Sequence, residues 1–249
     1  MFGWFRKPRP LPQATIPPGT RVYVIGDIHG CIDELDALQA LIRQDLFLTQ
    51  ADQNLIIYLG DYVDRGPASA EVLDRLIAHP LQNTTPIHLK GNHEAMMAAF
   101  LERPEEVGPK WFAIGGAATV ASYGVPWRGG MELSRLAEDL AERVPQSHRD
   151  FLNSLETYYR LGDYFFVHAG IRPGVPLARQ AEADLLWIRN PFLGSKISHG
   201  AVVVHGHTPV PAPEELSNRI AIDTGACFTG VLTCLVLEGR QRRYLATNS

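Results

Sequence analysis

The chain has 249 residues, 45% of them hydrophobic and 20% charged, a balance that suits one large folded domain and excludes a disordered or fibrous chain. Its 27 acidic against 23 basic residues leave a formal net charge of -4 with no long run of either sign, which argues against a dedicated nucleic-acid binder, whose surface must neutralise phosphates. No stretch approaches the roughly 18 apolar residues of a membrane helix, and Cys31, Cys227 and Cys234, an odd number with no Cys-x-x-Cys pair, indicate neither a disulfide framework nor a cysteine zinc site and fit a reducing cytoplasm.

Met1–Pro18 carries Arg6, Lys7 and Arg9 but is broken by five prolines before an apolar run forms, so it reads as a flexible tail over residues 1–19 and not as a secretory signal. Arg21–Ile25 is a β-branched run ending at Gly26, and Ile32–Leu48 shows apolar residues at helical spacing. The same strand, loop and helix recur twice. Asn54–Leu59 runs into Gly60 before a helix over about Ser69–Ala78, and Thr85–Leu89 runs into Gly91 before a helix over about Glu94–Leu101. Three such units predict a mainly parallel sheet, whose ligands gather beyond the carboxyl ends of the strands. Gly108–Gly130, rich in glycine and aromatic residues, reads as a cap or insertion, and helices are expected over about Glu132–Arg143 and Gln146–Leu155. Short strands follow at Tyr158–Leu161, Tyr164–His168, Ala201–Val204, Arg219–Asp223, Val231–Leu237 and Arg242–Ala246, which predicts a second, more antiparallel sheet packed on the first.

The loops between these elements carry Gly-Asp27-Ile-His29-Gly, Gly-Asp61-Tyr-Val-Asp64-Arg65-Gly, Gly-Asn92-His93-Glu94, Val-His168-Ala-Gly and His205-Gly-His207-Thr. Each is a polar cluster at the end of an apolar strand. Alone, none is specific, because a single histidine in an apolar strand is commonly a hydrogen-bonded core residue and an Asp-Gly or Asn-His pair is commonly a turn. Together they share one chemistry: carboxylate, amide and imidazole groups are ligands for divalent cations, and a pair of such ions activates water and clamps a phosphate.

On these motifs the sequence resembles the phosphoprotein phosphatase family of calcineurin-like metallophosphoesterases, from about Arg21 to Gly230, and within it the bacterial and phage serine/threonine phosphatases and the symmetrical diadenosine tetraphosphatases. Gly-Asp61-Tyr-Val-Asp64-Arg65-Gly is the most specific element. The resemblance implies an α/β fold of two packed mixed β-sheets flanked by helices (four layers, α/β/β/α), forming one catalytic domain over 20–249 with a helical insert at about 104–156. It implies two divalent metal ions, Mn²⁺ first with Fe or Zn as alternatives, held by Asp27 and His29 at one position, by Asn92, His168 and His207 at the other, and bridged by Asp61. A hydroxide between the ions would attack phosphorus directly, His93 would protonate the leaving oxygen with Asp64 orienting it, and Arg65, Arg189 and Asn92 would bind the phosphate. The implied reaction is hydrolysis of phosphate monoesters, phosphoserine or phosphothreonine in proteins or small phosphoesters. The alternative is symmetrical cleavage of diadenosine tetraphosphate. Neither a membrane nor a nucleic-acid partner is expected.

In the wider superfamily the last motif has two histidine ligands. Here Pro209 stands where the second would be, which leaves His207 as the ligand and His205 as a neighbour. Glu94 either accepts hydrogen bonds that orient a ligand or is a helix-start acid favoured by the dipole, and Cys31 is either a reactive thiol or packing. Ile114, before Gly115-Gly116, occupies a position that is commonly asparagine in the related enzymes. A catalytically dead binding module would lack ligands or the acid, and a nuclease does not fit the acidic balance or Asp64-Arg65.

Overall fold

The computed structural model describes residues 14–48, 51–127 and 130–247. The three strand–helix units run β1 (Thr20–Ile25) to α1 (Ile32–Leu48), β2 (Gln53–Tyr58) to α2 (Ser69–Ala78), and β3 (Thr85–His88) to α3 (Asn92–Glu102). Helices α4 (Pro104–Ala113), α5 (Gly116–Ser122), α6 (Leu133–Arg143) and α7 (Gln146–Ser154) follow, then β4 (Tyr158–Leu161), β5 (Tyr164–Val167), α8 (Glu182–Trp187), β6 (Val202–His205), β7 (Glu214–Glu215), β8 (Arg219–Ala221), α9 (Ala226–Thr229), β9 (Thr233–Glu238) and β10 (Gln241–Ala246).

These strands form two five-stranded mixed sheets, ordered β10-β9-β1-β2-β3 and β4-β5-β6-β8-β7. Alternation along β1 explains the layers. Val22 and Val24 face inward with Leu55, Ile57, Phe166, Val204 and Ile220 in the core between the sheets, while Tyr23 and Ile25 face outward onto Leu35, Leu38 and Ile42 of α1 and the other first-layer helices. On the far side of the second sheet, Phe165, Val167 and Val203 pack against Leu185 and Ile188 at α8. Two sheets with helices on both outer faces make four layers.

Three expectations need correction. The strands β9 and β10 join the first sheet and not the second, with β9 antiparallel to β1; five consecutive buried residues, Thr233–Leu237, suit a strand covered on both faces. The second sheet is parallel at its centre, β5 to β6 and β6 to β8, and antiparallel only at its edges. Of the segment expected to be a tail, residues 1–13 lie outside the described residues, but Ala14 and Ile16 are buried in the inter-sheet core and the Ile16 N–H donates to the Gly239 carbonyl at 2.8 Å.

Candidate metal centre

Asp27, Asp61, Asn92, His168, His207 and Asp223 each lie one to three residues beyond the end of β1, β2, β3, β5, β6 and β8, or, for Asn92, at the start of the following helix. All six are at most 5% exposed. Parallel strands in both sheets therefore deliver their carboxyl ends to one buried place. Close approach depends on glycine: a Cβ on Gly91 would lie 2.1 Å from Asp61 Oδ1, and one on Gly206 would lie 2.1 Å from Asp27 Oδ1.

Backbone strain concentrates at the same place. Among the described residues, six non-glycine residues have positive φ, and five of these are His29 (49°), Asp61 (51°), Asp64 (72°), Arg65 (67°) and His207 (64°). Each costs on the order of 1–2 kcal/mol, and strain of this kind persists where the surrounding structure fixes it and function needs the geometry.

Two groups of buried donor atoms share one carboxylate. His29, Asp61 and His93 form the first, and Asp61, His168 and His207 the second, with the ligand atoms of each group all within 4.8 Å of one another. The tautomers follow from the backbone: His29 Nδ1 meets the Val63 carbonyl at 2.9 Å and His168 Nδ1 meets the Leu59 carbonyl at 3.0 Å. Each Nδ1 must therefore carry the proton and donate, leaving Nε2 with its lone pair. His168 Nε2 then faces Asn92 Oδ1 at 2.9 Å and Asp61 Oδ2 at 3.4 Å, and His29 Nε2 faces Asp61 Oδ2 at 3.4 Å. Lone pairs converge on lone pairs. Asp27 Oδ1 and His207 Nε2 are buried without any hydrogen-bond partner. Such a donor set, of nitrogen and oxygen atoms with nothing to donate to one another, fits divalent cations.

Electrostatics sorts the imidazoles. Burial pulls His29 down to about 3 and His207 to about 2 and lowers His168, which keeps all three neutral, as ligands must be. Burial opposes the charged form of His93 too, but there Asp61 and the hydrogen-bonded Asp64 outweigh it, and its pKa is raised. His93 Nδ1 lies 2.6 Å from Asp64 Oδ2. The same carboxylate accepts the Trp111 indole N–H at 2.8 Å and the Thr119 hydroxyl at 2.6 Å, all within buried surroundings. Asp61 moves the other way: burial would raise it, but the imidazoles that face it lower it below the usual carboxylate range, and of these His93 is the one whose own pKa is raised.

Arg65 donates from Nη1 to His29 Nε2 at 2.8 Å, brings Nη2 to 3.2 Å from His93 Nε2, and donates from Nε to the Ile114 carbonyl at 3.4 Å. Arg189 is exposed beyond α8, on the side where its charge helps depress His207. Asp27 is brought to the centre, with Oδ2 accepting the His207 N–H at 2.9 Å, yet it belongs to neither tight group, and His93 takes the third place beside His29 and Asp61.

The open sequence alternatives now have places. Glu94 accepts the N–H groups of Asp61, Tyr62 and Gly91 at 2.7–2.9 Å and that of Val63 at 3.3 Å, so it shapes the loop that presents Asp61. His205 points away, bonded to the Gly206 carbonyl and to Arg219 and edge-on to Phe192. The Ile114 side chain packs on the helical core while its carbonyl holds Arg65. Cys31 is buried, and burial pushes its thiol up to about 12. Trp111, Thr119 and Asp223 were not legible as site residues. Asp223 was counted as the last residue of a strand, although Ile-Asp223-Thr-Gly225 repeats the strand-end acid followed by glycine that flagged Asp27 and Asp61.

A family model described as calcineurin-like phosphoesterase matches residues 20–227. A curated relative from Halalkalibacterium halodurans, an asymmetrical bis(5'-nucleosyl)-tetraphosphatase, is 28% identical over 232 residues, covering 85% of this chain and 88% of its own. Among solved structures, a candidate diadenosine tetraphosphatase aligns with a TM-score of 0.65 at 22% identity over 95% of this chain and 100% of its own. A cold-active protein-tyrosine phosphatase of a Shewanella species aligns with a TM-score of 0.56 at 17% identity over 92% and 80%; at such identities these two structures speak for the fold alone.

Proposed function

The chain belongs to the calcineurin-like phosphoesterases, metal-dependent hydrolases, and on that premise we propose that it cleaves phosphorus–oxygen bonds of a nucleotide-type phosphoanhydride by direct attack of water, without a covalent phosphoenzyme. The observation that carries the chemistry is the His93–Asp64 pair, 2.6 Å apart, set against two donor groups that share Asp61. Asp27, His29 and Asp61 would hold one divalent ion and Asp61, Asn92, His168 and His207 the other. When bound, the ions supply positive charge for the phosphoryl oxygens and lower the pKa of water.

The protein's own residues do the rest. Asp64 fixes the His93 ring through Nδ1 and favours its protonated form, so Nε2 presents a proton to the leaving oxygen. Arg65 exchanges the two ring nitrogens it now contacts for phosphate oxygens, its planar fork matching two of them, and Arg189 adds a second cation from the side of His207. Neither nearby thiol is tuned to act as a nucleophile, since burial raises the pKa of both Cys31 and Cys227.

Two substrate classes follow from the sequence, and the dinucleoside tetraphosphates come first, since the curated relative that shares 85% of the chain bears that activity. On this reading the cleavage is asymmetrical, to ATP and AMP, as the relative's name has it, in place of the symmetrical cleavage that the sequence offered as its alternative. Phosphomonoesters, including phosphoserine and phosphothreonine peptides, are the second reading, favoured by the Asp64-Arg65 pair characteristic of the protein phosphatase branch. Mn²⁺ suits the mixed nitrogen and oxygen donors. Three free cysteines and the lack of any helix among the described residues long and apolar enough to cross a membrane support work in the cytoplasm. Purified protein loaded with Mn²⁺ is to be assayed on diadenosine tetraphosphate, phosphopeptide and an aryl phosphate, with products separated chromatographically. The expected result is a kcat/KM at least a hundredfold higher for the dinucleotide, with ATP and AMP as products. The same margin in favour of phosphopeptide would install the second reading.

A further inference from the structure

We propose that Phe228 and Trp187 are aromatic platforms that select substrates carrying a planar ring on either side of the phosphate chain, an inference that rests on the dinucleotide reading above. Eight large hydrophobic side chains are markedly exposed among the described residues, and these two touch the site. Phe228, 73% exposed, lies with its ring centroid 5.8 Å from the Arg65 guanidinium carbon. Trp187, 41% exposed, lies edge-on to His207 at 6.3 Å. Arg65 contacts His29 and His93 of the first donor group, while His207 belongs to the second. The rings therefore stand at different ends of the cluster, Phe228 beside Arg65 and Trp187 beside His207, whose ring also feels the charge of Arg189.

Neither ring contributes to the core, yet both are held firmly. Trp187 projects between the buried Leu186 and Ile188. Phe228 sits on a one-turn helix bounded by left-handed Gly225 and Gly230, with the Gly225 N–H donating to Asp223 Oδ1 at 2.8 Å and the Phe228 N–H to the Gly225 carbonyl at 2.8 Å. A ring left largely in water gains from a ligand that covers its open face. A nucleobase qualifies, because every base offers a π-face and stacking on protein aromatics tolerates any sequence of bases. In a nucleotide the base lies one sugar away from its phosphate, so a base covering either ring leaves its phosphate near the cluster. A phosphoserine peptide has no ring so placed.

The experiment compares F228A, W187A, F228W and W187F with the wild type, measuring KM and kcat for diadenosine tetraphosphate and the competitive inhibition constant of inorganic tripolyphosphate, which has phosphates and no rings. Each alanine variant is expected to raise the dinucleotide KM at least tenfold relative to the tripolyphosphate constant, with kcat changed less than threefold; F228W and W187F should retain most of the wild-type selectivity. An unchanged ratio in both alanine variants, or equal weakening of dinucleotide and tripolyphosphate, overturns the platforms while leaving the dinucleotide activity standing. A wild type that hydrolyses phosphopeptide and not the dinucleotide overturns both.

Discussion

A proton on His93 has two reasons to stay: Asp64 accepts it at 2.6 Å, and Asp61, 3.8 Å from the other ring nitrogen, adds a second negative charge in a buried setting. The same position makes His93 the third donor of a potential ligand group, so its role can be decided only by separating chemistry from metal binding. His93→Asn is expected to lower kcat by roughly 10²–10⁴-fold, the range of a lost general acid, while metal analysis still finds two ions per chain. The loss should shrink for an aryl phosphate whose leaving oxygen needs little protonation. Loss of an ion with the side chain would identify a ligand instead. Glu94 acts earlier in the chain of causes. One carboxylate accepts four backbone N–H groups, and its pKa rises to about 7, through burial first and then Asp61. Glu94→Gln turns one acceptor oxygen into a donor facing donors, which should cost about 1–3 kcal/mol in urea unfolding; an unchanged midpoint would mean that the loop holds its shape without it.

Helices α4 and α5 look from the sequence like a cap that chooses substrate, but their polar inward residues serve Asp64. Trp111 on α4 donates its indole N–H, and Thr119 on α5 both donates its hydroxyl to Oδ1 and accepts the Asp64 N–H at 2.8 Å. The left-handed Asp64 is thereby pinned from the element that the linear motif does not include. Thr119→Val, close in shape, should lower kcat about tenfold and Thr119→Ser should retain most of it; equal activity in both would show that Trp111 and His93 suffice to hold the carboxylate. This explains what was legible. Asp27, His29, Asp61, Asn92, His168 and His207 announce themselves because strand-end polar residues interrupt apolar runs. Trp111 and Thr119 lie in the glycine- and aromatic-rich segment that reads as a cap or insertion, where no strand end marks them, and only the fold brings them to Asp64.

For the whole molecule, the parallel strand–helix units are legible because period-two and period-3.6 patterns alternate along the first hundred residues, whereas the home of β9 is not, since a strand buried on both faces carries no mark of which sheet it enters, and β10 follows β9 as its antiparallel partner. That placement matters for the centre. With β9 beside β1, the first sheet closes over Asp27, and the second sheet brings Asp223 against it. The result is a crowd of buried acids: burial and then Asp223 and Asp61 raise Asp27, burial with Asp61 raises Asp223 to about 6, and Glu94 stands behind Asp61. Mutual repulsion of this kind opposes the fold and is relieved by divalent charge, so metal binding and global stability should be linked. At a hundred times its dissociation constant, an ion bound only by the native state adds about 2.7 kcal/mol, which for a chain of this size is a shift in Tm of about 5–10 °C. Calorimetry of chelator-stripped protein with and without Mn²⁺ is expected to show that rise, and Asp27→Asn, which removes one of the competing charges and one proposed ligand, should raise the metal-free Tm while shrinking the increment. Identical melting with and without metal would mean that the converging side chains do not hold an ion.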